Sequence, residues 1–222
     1  MMKIFSKLSI CFATFFITAL ALAEPTNLQV EKDQLKQYVT SGEYLKEQQQ
    51  VATTAEAYLA KYIATNKQSK NPKKLAIVLD IDETSLSNYP DIVAMDFGGT
   101  WDELNTLQLK GVDPVIAPTL KLYNYAKENG VSVIFLTGRP ISAMPATIRN
   151  LKAAGYKNWD GLVFRTKDNI HQPAEVYKTA VRKKLEAQGY DIVVNMGDQQ
   201  SDLTGGYADK GFKLPNPFYY IP

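Results

Sequence analysis

The sequence predicts an α/β fold in which helices cover both faces of a parallel sheet. Short apolar runs typical of buried strands alternate with segments of helical periodicity along most of the chain. Three of the runs end directly before acidic or hydroxyl residues. Because the carboxyl ends of parallel strands meet at one edge of a sheet, these polar residues are expected to converge on one crevice.

The first elements of the predicted fold are helical. Residues 28–63 are typical of two helices separated at Ser41-Gly42, and residues 66–74 form a polar, basic linker. In the second helix, apolar residues recur at helical spacing: Val51, Ala55, Leu59 and Ile63.

Strands and helices then alternate to the end of the chain. The predicted strands are 75–79, 131–136, 161–165, 192–196 and 211–214. The predicted helices between them are 118–129, 141–154 and 173–188, and a glycine follows each one as a typical C-terminal stop. Residues 85–115 are rich in Asp, Gly and aromatic residues and show weak periodicity, which indicates an insertion that could cover the crevice.

The N-terminus has the features of a secretory signal peptide at residues 1–23. Lys3 and Lys7 supply its positive end, an uncharged apolar core follows, and Ala21-Leu22-Ala23 provides a small-residue cleavage site. The apolar run is short for a membrane span, which needs about 20 residues. We therefore expect cleavage, export to a periplasm or the medium, and no stable membrane anchor afterwards.

Cleavage would leave a single domain at residues 24–222. Within it, residues 24–66 form the N-terminal helices and residues 85–115 form a small cap insertion. That domain carries 23 basic and 23 acidic residues, so no basic face for nucleic acid is indicated. A single histidine, His171, excludes sites that need several imidazoles, and its loop context indicates no catalytic role. The only cysteine, Cys11, lies in the signal segment.

Two pairs of acids carry the predicted chemistry. Asp80 and Asp82 follow the first strand two residues apart, so an extended backbone would place both on one side. One could attack a phosphorus atom while the other transfers protons. Asp198 and Asp202 would lie one helical turn apart if a helix opened at Gly197-Asp198, and could hold a hard cation such as Mg²⁺.

Four further residues complete a site for phosphoryl transfer. Thr137 and Gly138 follow the second strand, where a hydroxyl and nearby amides could bind phosphate oxygens. Arg139 could reach a substrate or pair with an acid. Lys178 could neutralise charge between nucleophile and phosphate. Lys167 is an alternative for this position, but the place of Lys178 in the helix before the fourth strand and its distance from Asp198 favour Lys178.

Taken in order, these segments resemble the haloacid dehalogenase (HAD) superfamily. Asp80-Ile81-Asp82-Glu83-Thr84 is similar to its first motif in the phosphatase form, and Thr137 and Lys178 match the second and third motifs. Gly197-Asp198 with Asp202 matches the fourth. Around the first and fourth motifs the sequence looks more narrowly like the secreted acid phosphatase branch, which holds class B and class C enzymes and plant vegetative storage proteins.

The resemblance implies a Rossmann-like sheet, a Mg²⁺ cofactor and an aspartyl-phosphate intermediate. It implies that Asp80 is nucleophile and metal ligand, and that Asp82 is the acid/base and offers its backbone carbonyl to the metal. Asp198 is then a metal ligand, and Asp202 supports Asp198 or Lys178.

The resemblance also implies an acid phosphatase that acts on small phosphomonoesters, with nucleotides among the candidates. Tyr89 and Trp101 of the insertion could stack on a base or an aryl leaving group, or could simply pack the cap. Two alternative functions stay open at this point: a phosphotransferase with the same motifs, and a non-catalytic storage or binding protein of the same fold. Self-association as a homodimer also stays open.

Overall fold

The carboxyl edge of a five-stranded parallel sheet is the feature around which the molecule is organised. The computed structural model describes residues 25–221, so the predicted signal peptide at residues 1–23 lies outside the described residues. The strands are β1 (Lys74–Leu79), β2 (Ser132–Pro140), β3 (Gly161–Arg165), β4 (Tyr190–Gly197) and β5 (Lys210–Lys213). Their order across the sheet is β3-β2-β1-β4-β5, and every pairing is parallel. The predicted fold class is confirmed.

Alternating side chains of the central strand β1 serve two separate cores. Ile77 and Leu79 belong to the larger core, whereas Ala76 and Val78 belong to the smaller core on the opposite face. This alternation follows from the two-residue period of a strand. Both faces are buried, which explains why β1 has no polar positions between Leu75 and Leu79.

Eight α-helices connect or precede the strands in residues 25–221. They are α1 (Leu28–Thr40), α2 (Glu43–Lys67), α3 (Tyr89–Ala94), α4 (Trp101–Gln108), α5 (Ala117–Glu128), α6 (Met144–Ala153), α7 (Ala174–Ala187) and α8 (Gln200–Leu203). Helices α2, α5 and α6 contribute to the larger core, and α7 covers the other face. None of these helices has the length and apolar character needed to cross a membrane.

Two elements begin or end elsewhere than the periodicity predicts. Strand β2 continues past Leu136 to Pro140, because its register with β3 shifts there and Pro140 pairs with Arg165. The helix predicted from Ile141 begins as a 3₁₀ turn, and the α-helix starts at Met144. Pro145 explains that start, since proline fits the first turn of an α-helix but not its interior.

The insertion that follows β1, residues 85–115, is closed at its base and contains the two short helices α3 and α4. Leu86 forms an antiparallel bridge with Val115, and the backbone N–H of Ile116 donates to the carbonyl of Ser85 at 3.0 Å. Helix α4 begins at a capping box in which Thr100 and Glu103 satisfy each other's backbone N–H groups. The segment therefore leaves and re-enters the sheet at nearly the same point, beside the carboxyl end of β1.

Candidate active site

A tight loop after β1 holds the first two acids. The backbone N–H of Asp80 donates to the carbonyl of Met196 at 2.9 Å, which continues the pairing of β1 with β4. The N–H groups of Ser85 and Leu86 then both donate to the carbonyl of Ile81 at 2.8 Å, which closes the loop. The loop therefore fixes the backbone of Asp80 and presents its buried side chain at the sheet edge.

Lys178 of α7 lies between the carboxylates of Asp80 and Asp202. Its Nζ is 2.5 Å from Oδ1 of each, and all three side chains are buried. Burial alone would lower the pKa of Lys178, but the carboxylates of Asp202 and Asp80 outweigh it and raise that pKa above its ordinary value. Burial raises the pKa of Asp80 well above its ordinary value, although Lys178 opposes the shift. Lys167, the alternative considered for this position, is exposed in a turn.

The fourth segment folds around a close approach between Gly197 and Asp202. A β-carbon at Gly197 would lie 2.4 Å from Cβ of Asp202, so only glycine fits. Helix α8 begins at Gln200, which places Asp198 before the helix, not in its first turn. Asp202 accepts a hydrogen bond from the backbone N–H of Gln199 at 2.9 Å, which turns its other oxygen towards Lys178.

Asp198 is surrounded by hydrogen-bond donors. Its Oδ2 accepts from the amides of Gln199 at 2.6 Å and Asn216 at 2.7 Å, and its Oδ1 accepts from the Thr84 hydroxyl at 3.2 Å. Burial, followed by the neighbouring carboxylates of Asp202 and Glu83, raises the pKa of Asp198 to about 7.

Three buried carboxylates form a cluster suited to a divalent cation. Asp80, Asp198 and Asp202 each contribute an oxygen, and these oxygens lie within 4.8 Å of one another. A single ammonium, that of Lys178, faces this group of acids. Oxygen-only donors favour hard cations over zinc or copper. The donor set therefore fits a hard divalent metal.

Asp82 is not part of this cluster and is held by Arg139. The Arg139 guanidinium donates to Asp82 at 2.7 Å and to Asp113 at 3.2 Å. Arg139 therefore pairs with two acids. The amides of Asn88 and Gln108 each donate to Oδ1 of Asp82 at 2.9 Å. Burial opposes ionisation of Asp82, but Arg139 and Asn88 outweigh it and lower the pKa of Asp82.

Thr137 and Gly138 lie within β2, because that strand runs to Pro140. The Thr137 side chain is buried and its hydroxyl accepts the backbone N–H of Arg139 at 3.0 Å. Gly138 lines the cavity described next, and a β-carbon there would have no neighbour closer than 4.0 Å. The second segment therefore brings its backbone to the cavity wall.

A cavity of about 400 Å³ opens above the acids, a size typical of small-ligand sites. Its charged floor contains Asp80, Asp82, Lys178, Asp198 and Asp202. Its outer wall is largely apolar and includes Trp101, Leu104, Pro140, Ile170, Tyr219 and Ile221. The cavity thus brings charged and apolar side chains together in one space.

The two aromatic residues singled out in the sequence have different surroundings. Trp101 lines the cavity and packs edge-to-face against Tyr219, with ring centroids 5.6 Å apart. Tyr89 does not line this cavity and packs instead against Phe97 and Phe218. Thr137 is also absent from the cavity lining, so among the predicted site residues in the described part of the chain these two lie outside it.

Several residues that build the site were not predicted from the sequence. They are Glu83, Asn88, Gln108, Asp113, Asn216, Tyr219 and Ile221. The tail after β5 has no periodicity, and its aromatic run at 218–220 was the only signal of burial. His171 is exposed in a turn, as its loop context predicted.

Comparisons with known proteins place this geometry in context. The profile of a family described as "HAD superfamily, subfamily IIIB (Acid phosphatase)" matches residues 17–222. The Stem 28 kDa glycoprotein of Glycine max is 37% identical over 195 residues, covering 84% of this chain and 73% of the relative. Acid phosphatase 1 of Solanum lycopersicum is 34% identical over 193 residues, covering 85% and 74%. Vegetative storage protein 2 of Arabidopsis thaliana is 34% identical over 200 residues, covering 86% and 72%.

A solved structure has the same architecture. The class C acid phosphatase from Bacillus anthracis superposes with a TM-score of 0.70 at 25% sequence identity, covering 86% of this chain and 85% of the other. A second structure of that enzyme, with tungstate bound, gives a TM-score of 0.68.

The buried acid Asp113 gives the site a pH dependence that stability measurements can detect. Burial raises the pKa of Asp113 to about 6, although Arg139 opposes the shift. The folded state then binds the Asp113 proton more tightly than the unfolded chain. The stabilisation that this proton gives the folded state is therefore full below pH about 4 and is lost as pH rises through about 6.

Asp113→Asn cannot lose a proton, so it lacks this pH-dependent loss of stability. The free energy of unfolding of the variant minus that of wild type should therefore increase by roughly 2 kcal/mol from pH 4 to pH 7.

Urea unfolding of both proteins at the two pH values measures this difference. Asp168→Asn, a substitution in an exposed turn, is the matched control and should show no such change. A difference between Asp113→Asn and wild type that stays constant with pH would contradict the assignment.

Proposed function

The chain belongs to the HAD superfamily, subfamily IIIB, the acid phosphatases, and from this membership we propose that it is an exported, Mg²⁺-dependent phosphomonoesterase that forms an aspartyl-phosphate on Asp80. The observation that carries the proposal is the buried group of Asp80, Lys178, Asp198 and Asp202 at the floor of the cavity. Burying charged side chains costs folding free energy. Clusters of buried charges are therefore expected at functional sites, where they take part in binding or catalysis.

Asp80 is the proposed nucleophile. Its Oδ1 is held by Lys178, so the other carboxylate oxygen is left to attack the substrate phosphorus. A bond forms between this oxygen and phosphorus, and the bond from phosphorus to the leaving oxygen breaks. Lys178 neutralises part of the negative charge that gathers as the phosphate approaches the buried carboxylate.

Asp82 is the proposed acid and base. It gives a proton to the leaving oxygen, then takes one from the water that attacks the aspartyl-phosphate and releases inorganic phosphate and free Asp80. Arg139 outweighs the effect of burial and lowers the pKa of Asp82.

Thr137 and Gly138 are the proposed phosphate-binding residues. Both lie at the end of β2 next to the Asp80 loop, and Gly138 leaves the backbone open to the cavity. Arg139 contributes by orienting Asp82 through its guanidinium.

Mg²⁺ is the proposed metal, held by the carboxylates of Asp80 and Asp198 and, by family resemblance, the backbone carbonyl of Asp82. Asp202 supports Lys178 and the loop before α8. When bound, the cation would offset the charge of the phosphate oxygens and of the clustered acids. The all-oxygen donor set supports magnesium over zinc.

Two features support export and a small organic substrate. Residues 1–23 have the composition of a signal peptide, and one relative is named as a glycoprotein, a modification of exported proteins. The apolar outer wall of the cavity suits an organic leaving group, with Trp101 as a candidate stacking surface for aryl phosphates or nucleotides.

A storage role is the second candidate function, because vegetative storage proteins are among the relatives. The intact pair of Asp80 with Lys178 favours catalysis, since storage alone would not require a buried nucleophile and its counter-ion. Transfer of the phosphoryl group to an alcohol would use the same residues, and product analysis with an added acceptor separates it from hydrolysis.

Asp80→Asn tests the proposed function. The variant should lose phosphatase activity by at least about a thousandfold while keeping its circular dichroism spectrum, because the neutral amide cannot form the aspartyl-phosphate directly. Asp168→Asn, in an exposed turn, is the matched control and should retain full activity. Near-normal turnover by purified Asp80→Asn would reject this mechanism and leave the storage role.

Asp82→Asn tests proton transfer. With an alkyl phosphate the rate should fall by about 10²–10⁴-fold, because an alkoxide needs a proton as the bond breaks. With 4-nitrophenyl phosphate the first step should fall much less, because nitrophenolate is a stable leaving group. Single-turnover release of each alcohol measures this step, and equal losses for the two substrates would count against the acid role.

A further inference from the structure

The C-terminal tail, residues 214–221, is attached to the acid loop that follows β4. The backbone N–H of Leu214 donates to the carbonyl of Gly197 at 2.9 Å, and the N–H of Ile221 donates to Oε1 of Gln199 at 3.0 Å. Between these two attachments, Asn216 donates to Oδ2 of Asp198 at 2.7 Å. The tail therefore contacts the Asp198 loop at three successive points.

We propose that Asn216 is a positioning residue that orients Asp198 for metal binding. Resting on the function proposed above, this inference assigns part of the metal site to the tail. The amides of Asn216 and Gln199 both donate to Oδ2 of Asp198. A carboxylate oxygen has two lone pairs, so these two donors saturate Oδ2. Oδ1 accepts the Thr84 hydroxyl at 3.2 Å and keeps its second lone pair for a cation.

The orientation of the Asn216 amide is fixed by its own neighbours. Its Oδ1 accepts the backbone N–H of Phe218 at 2.9 Å, so the nitrogen end must face Asp198. Asn216 also lies between Pro215 and Pro217. Proline has a fixed φ and restricts the residue before it to extended conformations, so the backbone of Asn216 has little freedom.

The tail is held at a second place that does not involve Asp198. The Tyr219 hydroxyl donates to the buried carboxylate of Glu83, and the Tyr219 ring packs against Trp101. Phe218 packs against Tyr44 and Tyr89, with ring centroids 5.2 Å apart in each pair. Loss of the Asn216 amide alone therefore leaves these tail contacts in place.

Partners that orient metal ligands typically change metal affinity by 10–100-fold when they are removed. Asn216→Ser is the informative variant, because the serine hydroxyl can still accept the N–H of Phe218 but is too short to reach Asp198. Its dissociation constant for Mg²⁺ should rise about tenfold, and the upward shift in melting temperature caused by Mg²⁺ should shrink with it. Saturating Mg²⁺ should restore its phosphatase activity, which a merely misfolded tail would not permit.

Isothermal titration calorimetry of Mg²⁺ into the metal-free mature protein measures the affinity. Asn129→Ala is the matched control: Asn129 donates to a backbone carbonyl at the end of α5, before the amino end of β2. It should bind Mg²⁺ like wild type. Asn216→Ala repeats the test should the serine variant fold poorly.

The outcomes separate this inference from the proposed function. Mg²⁺ binding by wild type that is weakened only in the Asn216 variants supports it. Equal affinity in wild type and Asn216→Ser overturns the role of Asn216 and leaves the phosphatase assignment intact. Failure of wild type to bind Mg²⁺ overturns both the metal assignment and the inference.

Discussion

Lys178 lies between Asp80 and Asp202, and the rest of the site depends on this buried ion pair. Burial of unpaired carboxylates is costly, and the ammonium is placed 2.5 Å from both. Lys178 comes from α7 on one face of the sheet, whereas Asp80 and Asp202 follow β1 and β4. One side chain therefore contacts residues from two other elements at the sheet edge and holds the carboxylate of Asp80 in place.

The remaining charges are arranged in two groups on either side of Asp80. On one side Arg139 is shared between Asp82 and Asp113, so one guanidinium links the charges of these two acids. On the other side Asp198 is enclosed by the amides of Gln199 and Asn216. The side chain of Asp82 is therefore not among the carboxylates that could hold a metal, although Asp80 and Asp82 are only two residues apart.

Much of this arrangement was predictable because it depends on the periodicity of apolar residues and on the order of the segments along the chain. Buried strands such as β1 are continuous apolar runs, and parallel strands bring the residues that follow them to one edge, which predicted the convergence of Asp80, Thr137 and Asp198. The choice of Lys178 over Lys167 followed from its helix before β4. Contacts such as Asn216 with Asp198 could not be predicted, since they join an aperiodic tail to a distant loop. Neither could the shared role of Arg139, which depends on where Asp113 of the insertion returns to the sheet.

The central claim is that the buried acids act as a divalent metal site for phosphate chemistry. The most direct test is to treat mature protein with EDTA, verify by metal analysis that it is empty, and assay it with 4-nitrophenyl phosphate before and after addition of Mg²⁺. The account predicts a loss of activity of at least about a hundredfold that Mg²⁺ reverses. Full activity in protein shown to be free of metal would contradict it.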